Sequence, residues 1–283
     1  RLKLDANSRI SLSNNDSGGD SGDGTSTSAN TTLGYLAGTA IASGGIDNTF
    51  FGHKSGTGLQ TGDYNTAIGS HSFEIADGAE AANTYVGYYA GYGVTGDTSE
   101  GNVGLGYAAG RGGSGAMIGT IAIGKWAMDA TSGNAQTGTI AIGYNALTAL
   151  TSGSGNTAVG YLAMAENTTG LGNTVLGYGA MYRSGGSNPA DSDHNTFIGY
   201  LSGSGDWSAG GDAKNEYNVC VGSTTMGASL NGANNNVGLG YGCLNNTTTG
   251  DGNTVAGYTA GTSITAGANN VCLGTNAGDS ITT

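Results

Sequence analysis

Residues 156–164 read NTAVGYLAM, and residues 173–181 read NTVLGYGAM. The same phrase recurs along almost the whole chain. Aligned on the glycine of its VG or IG pair, it falls at Gly34, Gly52, Gly69, Gly87, Gly106, Gly124, Gly143, Gly160, Gly177, Gly199, Gly222, Gly240, Gly257 and Gly274. The steps are 17 to 19 residues, apart from two of 22 and 23. A short unit repeated this often cannot bury an apolar face alone, so it has to stack on its neighbours.

Each place in the repeat accepts a narrow chemistry. Four residues before the glycine stands Asn in twelve copies and Thr in two, Thr120 and Thr139. Three before it the residue is always β-branched, and immediately before it always apolar, with a variable residue such as Ala67, Tyr85, Cys220 or Gly238 between them. Period-two alternation in β-branched sequence specifies a short strand. After the glycine comes Tyr in nine copies, then at the third place always a small residue, and at the fourth either Gly or a large apolar one. Turn formers such as TSGSG at 151–155 close the unit. The repeat therefore reads as strand, glycine bend, second short strand and loop.

Stacking these units predicts an all-β parallel β-solenoid, or β-roll, that buries a ribbon of Val, Ile, Leu and Ala, with neighbouring strands about 4.8 Å apart. Equivalent residues then form ladders: Asn156 and Asn173 bond rung to rung, Thr157 and Val159 form a wall, Gly160 and Gly177 bend, and Tyr161 stacks on Tyr178. Residues 1–29 read as an N-terminal strand and an acidic Gly/Ser-rich loop. Residues 30–283 read as the β-roll, with longer loops at 182–194 and 203–217.

The composition agrees with a rod more than with an enzyme. Glycine supplies 57 residues and proline one, which excludes collagen, and only 10% of residues are charged. Eight Lys and Arg against a net charge of -12 leave no basic stripe for nucleic acid. No apolar run has the length of a membrane span. Cys220, Cys243 and Cys272 fall on repeat positions without CxxC spacing and read as small core fillers.

NTAIGS at 65–70, TIAIGK at 120–125, TIAIGY at 139–144 and NTAVGY at 156–161 resemble the head repeats of trimeric autotransporter adhesins. The copies with GYxAL or GYxAM and a TTG-type turn are more similar to the version found in phage tail fibres, as is the opening RLKLDANSRISLSNND. The resemblance implies a left-handed roll, a homotrimer, and a non-enzymatic structural segment of a phage or virus tail fibre that carries host-attachment loops to a glycan or protein receptor. A bacterial surface adhesin or extracellular filament is the alternative. The expected location is a virion tail fibre or a cell surface.

The two long rungs concentrate the unusual side chains. Loops carried on a rigid scaffold commonly hold binding residues, and aromatic plus carboxylate groups suit sugar rings. Tyr182, Arg183, Asp191, Asp193, His194, Asp206, Trp207, Asp212 and Lys214 are therefore the receptor-contact candidates, against the plain alternative of tolerated insertions or subunit contacts. The Thr array suggests ice-lattice matching, but Val and Ile replace Thr in six copies. The tyrosine ladder reads as packing rather than as a sugar platform.

DSGGDSGDG at 16–24 spaces carboxylates among glycines yet lacks the bidentate Glu of a calcium loop, so no metal and no cofactor is expected. His53, His71 and His194 belong to no nucleophile or metal motif. A glycosidase carboxylate pair, as in a polysaccharide depolymerase, is a weaker reading. Sequons stand at Asn15, Asn30, Asn167, Asn245 and Asn246.

Overall fold

A computed structural model describes residues 29–41, 45–96, 98–131, 133–184, 192–207 and 214–283. The expectations for residues 1–28, including the acidic loop and Asn15, lie outside the described residues, as do Asp191 and Asp212.

The chain is a parallel β-solenoid. Among the described residues sixteen strands run from β1 (Thr31–Leu33) to β16 (Val271–Leu273), and fourteen of them form one parallel sheet whose order follows the sequence. The register is that of the repeat: in β10 (Thr157–Val159) and β11 (Thr174–Leu176), Thr157 pairs with Thr174 and Val159 with Leu176. At about 4.8 Å per rung the stack is on the order of 60 Å long. The other two strands, β6 (Met117–Ile118) and β8 (Gln136–Thr137), make a second, two-stranded sheet. With the bridges Ala81 to Glu100 and Glu100 to Ile118 they add a local second wall.

The glycine column is explained by its neighbours on the next rung. Gly160 has φ 142°, and a Cβ there would stand 2.2 Å from the carbonyl oxygen of Gly177. No side chain fits that approach, so the bend admits glycine alone. The predicted second short strand after it does not form. The chain instead turns, with positive φ two and four residues beyond the glycine, at Leu162 (56°) and Met164 (50°), for example. These turns still bond both neighbouring rungs. Leu162 N–H donates back to Tyr144 O (2.9 Å) and Met164 N–H forward to Ala180 O (3.0 Å). Left-handed backbone costs about 1–2 kcal/mol per residue, so the rung-to-rung bonds and packing must hold it in place.

The Asn column is a buried amide ladder. Asn173 N–H and Nδ2 both donate to Asn156 Oδ1 (2.9 and 3.1 Å), while Nδ2 also reaches Ser192 O at 2.7 Å. Asn173 Oδ1 in turn accepts from Asn195 N–H at 3.0 Å. At Thr120 the ladder continues through a hydroxyl, which donates to Asn102 Oδ1 at 2.7 Å. Along the Asn runs the buried amides are satisfied by the rungs beside them, which meets the cost of burying them; at Thr139 the buried hydroxyl has no hydrogen-bond partner.

The core differs from the expected ribbon. In β10 the middle residue Ala158 is fully buried, whereas Thr157 and Val159 are only half-buried and point outward. The same holds along the sheet, so the variable middle column faces in and the restricted β-branched and apolar columns face out. The core is built from that middle column and from the third and fourth residues after the glycine. It follows a size rule. Phe50, Tyr85 and Phe197 on strands stand opposite Gly56, Gly91 and Gly203, and Ala67, Ala141 and Ala158 stand opposite Phe73, Leu147 and Met164. One large side chain fills each such rung, as close packing requires. The three cysteines are free and buried in this core, as their repeat positions predict. Burial pushes the thiols of Cys220 and Cys243 above the usual range.

Candidate binding surfaces

Three surfaces could carry function: the outer face of the sheet, the aromatic column beside it, and the base of the two long loops. The outer face is the most extended. Its two columns, Thr/Val/Ile and Leu/Ile/Val/Phe/Ala, contain no charged residue in any of the fourteen copies. Many of these side chains are well exposed, among them Phe51, Leu176, Val219, Val221 and Leu239. Parallel sheets are normally covered on both faces, and a monomer seldom exposes a contiguous apolar patch beyond a few hundred Å².

The aromatic column follows the bend glycines. Tyr144, Tyr161, Tyr178 and Tyr200 stack nearly parallel, with centroids 5.2, 4.9 and 5.4 Å apart. Rings stacked in this way use both faces on each other and leave their edges to solvent, which favours packing over a continuous sugar platform. The column is not a uniform ladder, because at His71 and Trp126 the rings turn edge-on to their neighbours. Lys125 Nζ lies 3.9 Å from the Trp126 ring centroid, a cation–π contact that covers one face of the indole.

At the base of the long loops, the structure pairs some of the sequence-predicted residues with one another. Trp207 N–H donates to Arg183 O at 3.1 Å, tying the two loops to each other. Asp193 accepts from Leu171 N–H at 2.9 Å, and Lys214 lies 3.8 Å from its other oxygen and 3.3 Å from Glu216. His194 stacks on Tyr217 at 5.3 Å and 12°. Two of the candidates are turned inward. Trp207 is only 6% exposed and packs against Phe197 with centroids 5.8 Å apart, and the Asp193 side chain is buried as a turn anchor. Arg183, His194 and Lys214 are exposed, and Tyr182 and Asp206 are half-buried. An indole on a glycine-rich loop looks like a recognition group in sequence; only the shallow core beneath Phe197 shows why it folds in.

One cluster was not legible as a site. His71 Nδ1 meets Glu74 Oε2, and Lys54 Nζ lies 3.1 Å from Glu74 Oε1. Burial raises the Glu74 carboxyl, but the hydrogen bonds from His71 and Lys54 outweigh it and hold the group below its usual range. The signal was present as a His and a Glu three apart with a Lys one rung below. This is an imidazole held by a carboxylate, with tyrosines around it. Among the described residues no group of three His, Cys, Asp or Glu converges as a metal site, and no helix is long and apolar enough to cross a membrane. The sequons at Asn30 and Asn167 are buried, which removes them as glycan acceptors. Comparison with protein-family models, with curated proteins and with solved structures finds no match to this chain.

Proposed function

We propose that this chain is a structural, non-enzymatic fibre segment that assembles as a homotrimer, in a phage or virus tail fibre, and presents host-attachment residues on its long loops. The observation that supports it is the uncharged outer face. Fourteen rungs at about 4.8 Å and a strip about 10 Å wide expose on the order of 600 Å². That approaches the roughly 800 Å² per partner of a stable interface. The partner best able to cover a face of this length and period is another copy of the same repeat, in register. Parallel copies around one axis close without leaving an open side. A bacterial adhesin or extracellular filament would use the same rod. The resemblance of the GYxAL and GYxAM copies to phage-fibre repeats favours the fibre, whereas NTAIGS resembles the adhesin heads.

Two experiments test the two halves of the reading. Sedimentation equilibrium is expected to give three chain masses for the native protein. Placing charges on the face with Leu176→Glu and Leu239→Glu should give monomers that keep the rod's circular dichroism. A native monomer would remove the assembly, and thermal hysteresis from that monomer would point to the Thr column as an ice-binding face. For attachment, fluorescently labelled protein should lose binding to host cells on Arg183→Glu or His194→Ala. Deleting residues 203–217 is a poorer test, because it takes Trp207 out of the core.

A further inference from the structure

The column after the bend glycines is interrupted by non-aromatic residues at three places between Tyr35 and Tyr258: Ser70, Lys125 and Ser223. The chain fills the first two itself. His71, the residue after Ser70, lies edge-on between His53 and Tyr88 with centroids 5.0 and 5.9 Å away. Trp126, the residue after Lys125, does the same between Tyr107 and Tyr144 at 5.8 and 5.7 Å. At Ser223 the following residue is Thr224, which has no ring, and its hydroxyl turns back to the Ser223 carbonyl at 2.8 Å. Tyr200 is stacked on Tyr178 at 5.4 Å, and Tyr241 on Tyr258 at 5.3 Å. Among the described residues each is stacked on a ring on one side only, and the rung between them contributes no ring. Tyr200 is 54% exposed and Tyr241 51%.

Strands β12 (Thr196–Ile198), β13 (Val219–Val221) and β14 (Val237–Leu239) pair in unbroken register beneath this gap. Tyr200 and Tyr241 are therefore two rungs apart, about 9.6 Å. A single ring midway would sit at about 5 Å from each tyrosine, within the range of ordinary ring stacking.

We propose that the slot between Tyr200 and Tyr241 binds one neutral pyranose ring of a glycan. The walls are two tyrosine faces, which suit the CH faces of a sugar. Between them Ser223 holds the column place and is half-buried, offering a hydroxyl, each tyrosine offers a phenol oxygen, and none of Tyr200, Ser223, Thr224 and Tyr241 is charged. A ring with apolar faces and hydroxyls on its edge matches all of these at once, whereas an aromatic side chain leaves the Ser223 hydroxyl without a partner. The slot rests on the attachment reading only for the source of its sugar; the binding itself is a property of the isolated chain.

The test is saturation-transfer NMR on the purified protein with the methyl glycosides of glucose, galactose and N-acetylglucosamine in turn, and with N-acetyltyrosinamide as the aromatic probe. At least one glycoside should bind, and Ser223→Tyr, which restores the residue found at this place in nine copies, should weaken it at least about tenfold with no loss of thermal stability. Tyr241→Ala should weaken it in the same way and covers the case in which the first variant misfolds. Absence of binding by every glycoside, binding that survives both substitutions, or binding of N-acetyltyrosinamide alone would overturn the assignment. Cell attachment measured in parallel separates the two ideas, since loss of glycoside binding with attachment intact leaves the fibre reading standing and removes the slot from it.

Discussion

The ring of Phe197 occupies the space that any side chain on Gly203 would need: a Cβ there would stand 2.6 Å from Phe197 Cδ1. Strand and turn of one rung thus share a single volume. Phe197→Ala alone should cost about 3–5 kcal/mol by leaving a cavity. Gly203→Met alone should cost roughly 1–3 kcal/mol by overpacking. Combined, they recreate the Ala158 and Met164 arrangement of another rung, and Met164 shows that a Met tolerates this positive φ. The double variant is expected to melt well above the sum of the two losses, measured by thermal and urea unfolding.

That exchange shows what the sequence displays and what it hides. The fold was legible because the glycine, the Asn and the β-branched column recur at fixed spacing, and only stacking satisfies all three. The facing of the strand was not, because Thr157 and Val159 look like core residues by composition, and period two says only that they share a side. The deciding signal was the variable column: Ala, Phe, Tyr, Cys and Gly alternate in size against the fourth residue after the glycine, and only an interior needs such compensation. The turn was hidden because alternating backbone handedness leaves no mark in residues as ordinary as Leu162. Among the loop candidates, Trp207 and Asp193 were read as surface groups because local sequence cannot report a partner such as Phe197 ten residues away or Leu171 a rung below.

Two glycines with positive φ separate steric need from backbone preference. A Cβ on Gly160 would meet Gly177 O at 2.2 Å, whereas one on Gly155 has its nearest neighbour, Gly172 Cα, at 4.0 Å. Gly155 has φ 72°, so Gly155→Ala should cost only the left-handed backbone term, about 1–2 kcal/mol. Gly160→Ala must push two rungs apart and is expected to lower the melting temperature far more, or to prevent folding. Equal melting temperatures for the two variants would refute this account of the glycine column.

The amide ladder predicts an order of three proteins. Asn173→Ala takes the donor from Ser192 O and the acceptor from Asn195 N–H, and each orphaned buried group costs about 1–3 kcal/mol. Asn173→Thr should lose less, because a threonine hydroxyl can donate to the rung before it as Thr120 does to Asn102. Stability should fall from native to Thr to Ala. Amide hydrogen exchange is expected to quicken first at Asn195 N–H.

Glu80 sets a pH dependence. Its side chain is fully buried beside Tyr85, with Oε2 accepting from Gly78 N–H at 3.1 Å and no partner for Oε1. Burial raises its carboxyl above the ordinary carboxylate range, outweighing the backbone hydrogen bonds it accepts, and nearby Asp77 adds to the rise. The sign follows from linkage. Since the folded value lies above the unfolded one, the protonated form contributes stability that is fully present below the unfolded pKa and is lost as pH rises through the folded value. Glu80→Gln keeps an acceptor for Gly78 and cannot ionise. The variant should match the native protein at pH 4 and melt above it at pH 8, with the difference opening between those limits. A native protein that stays level with the variant at pH 8 would show that the buried carboxylate finds a compensating partner when it ionises.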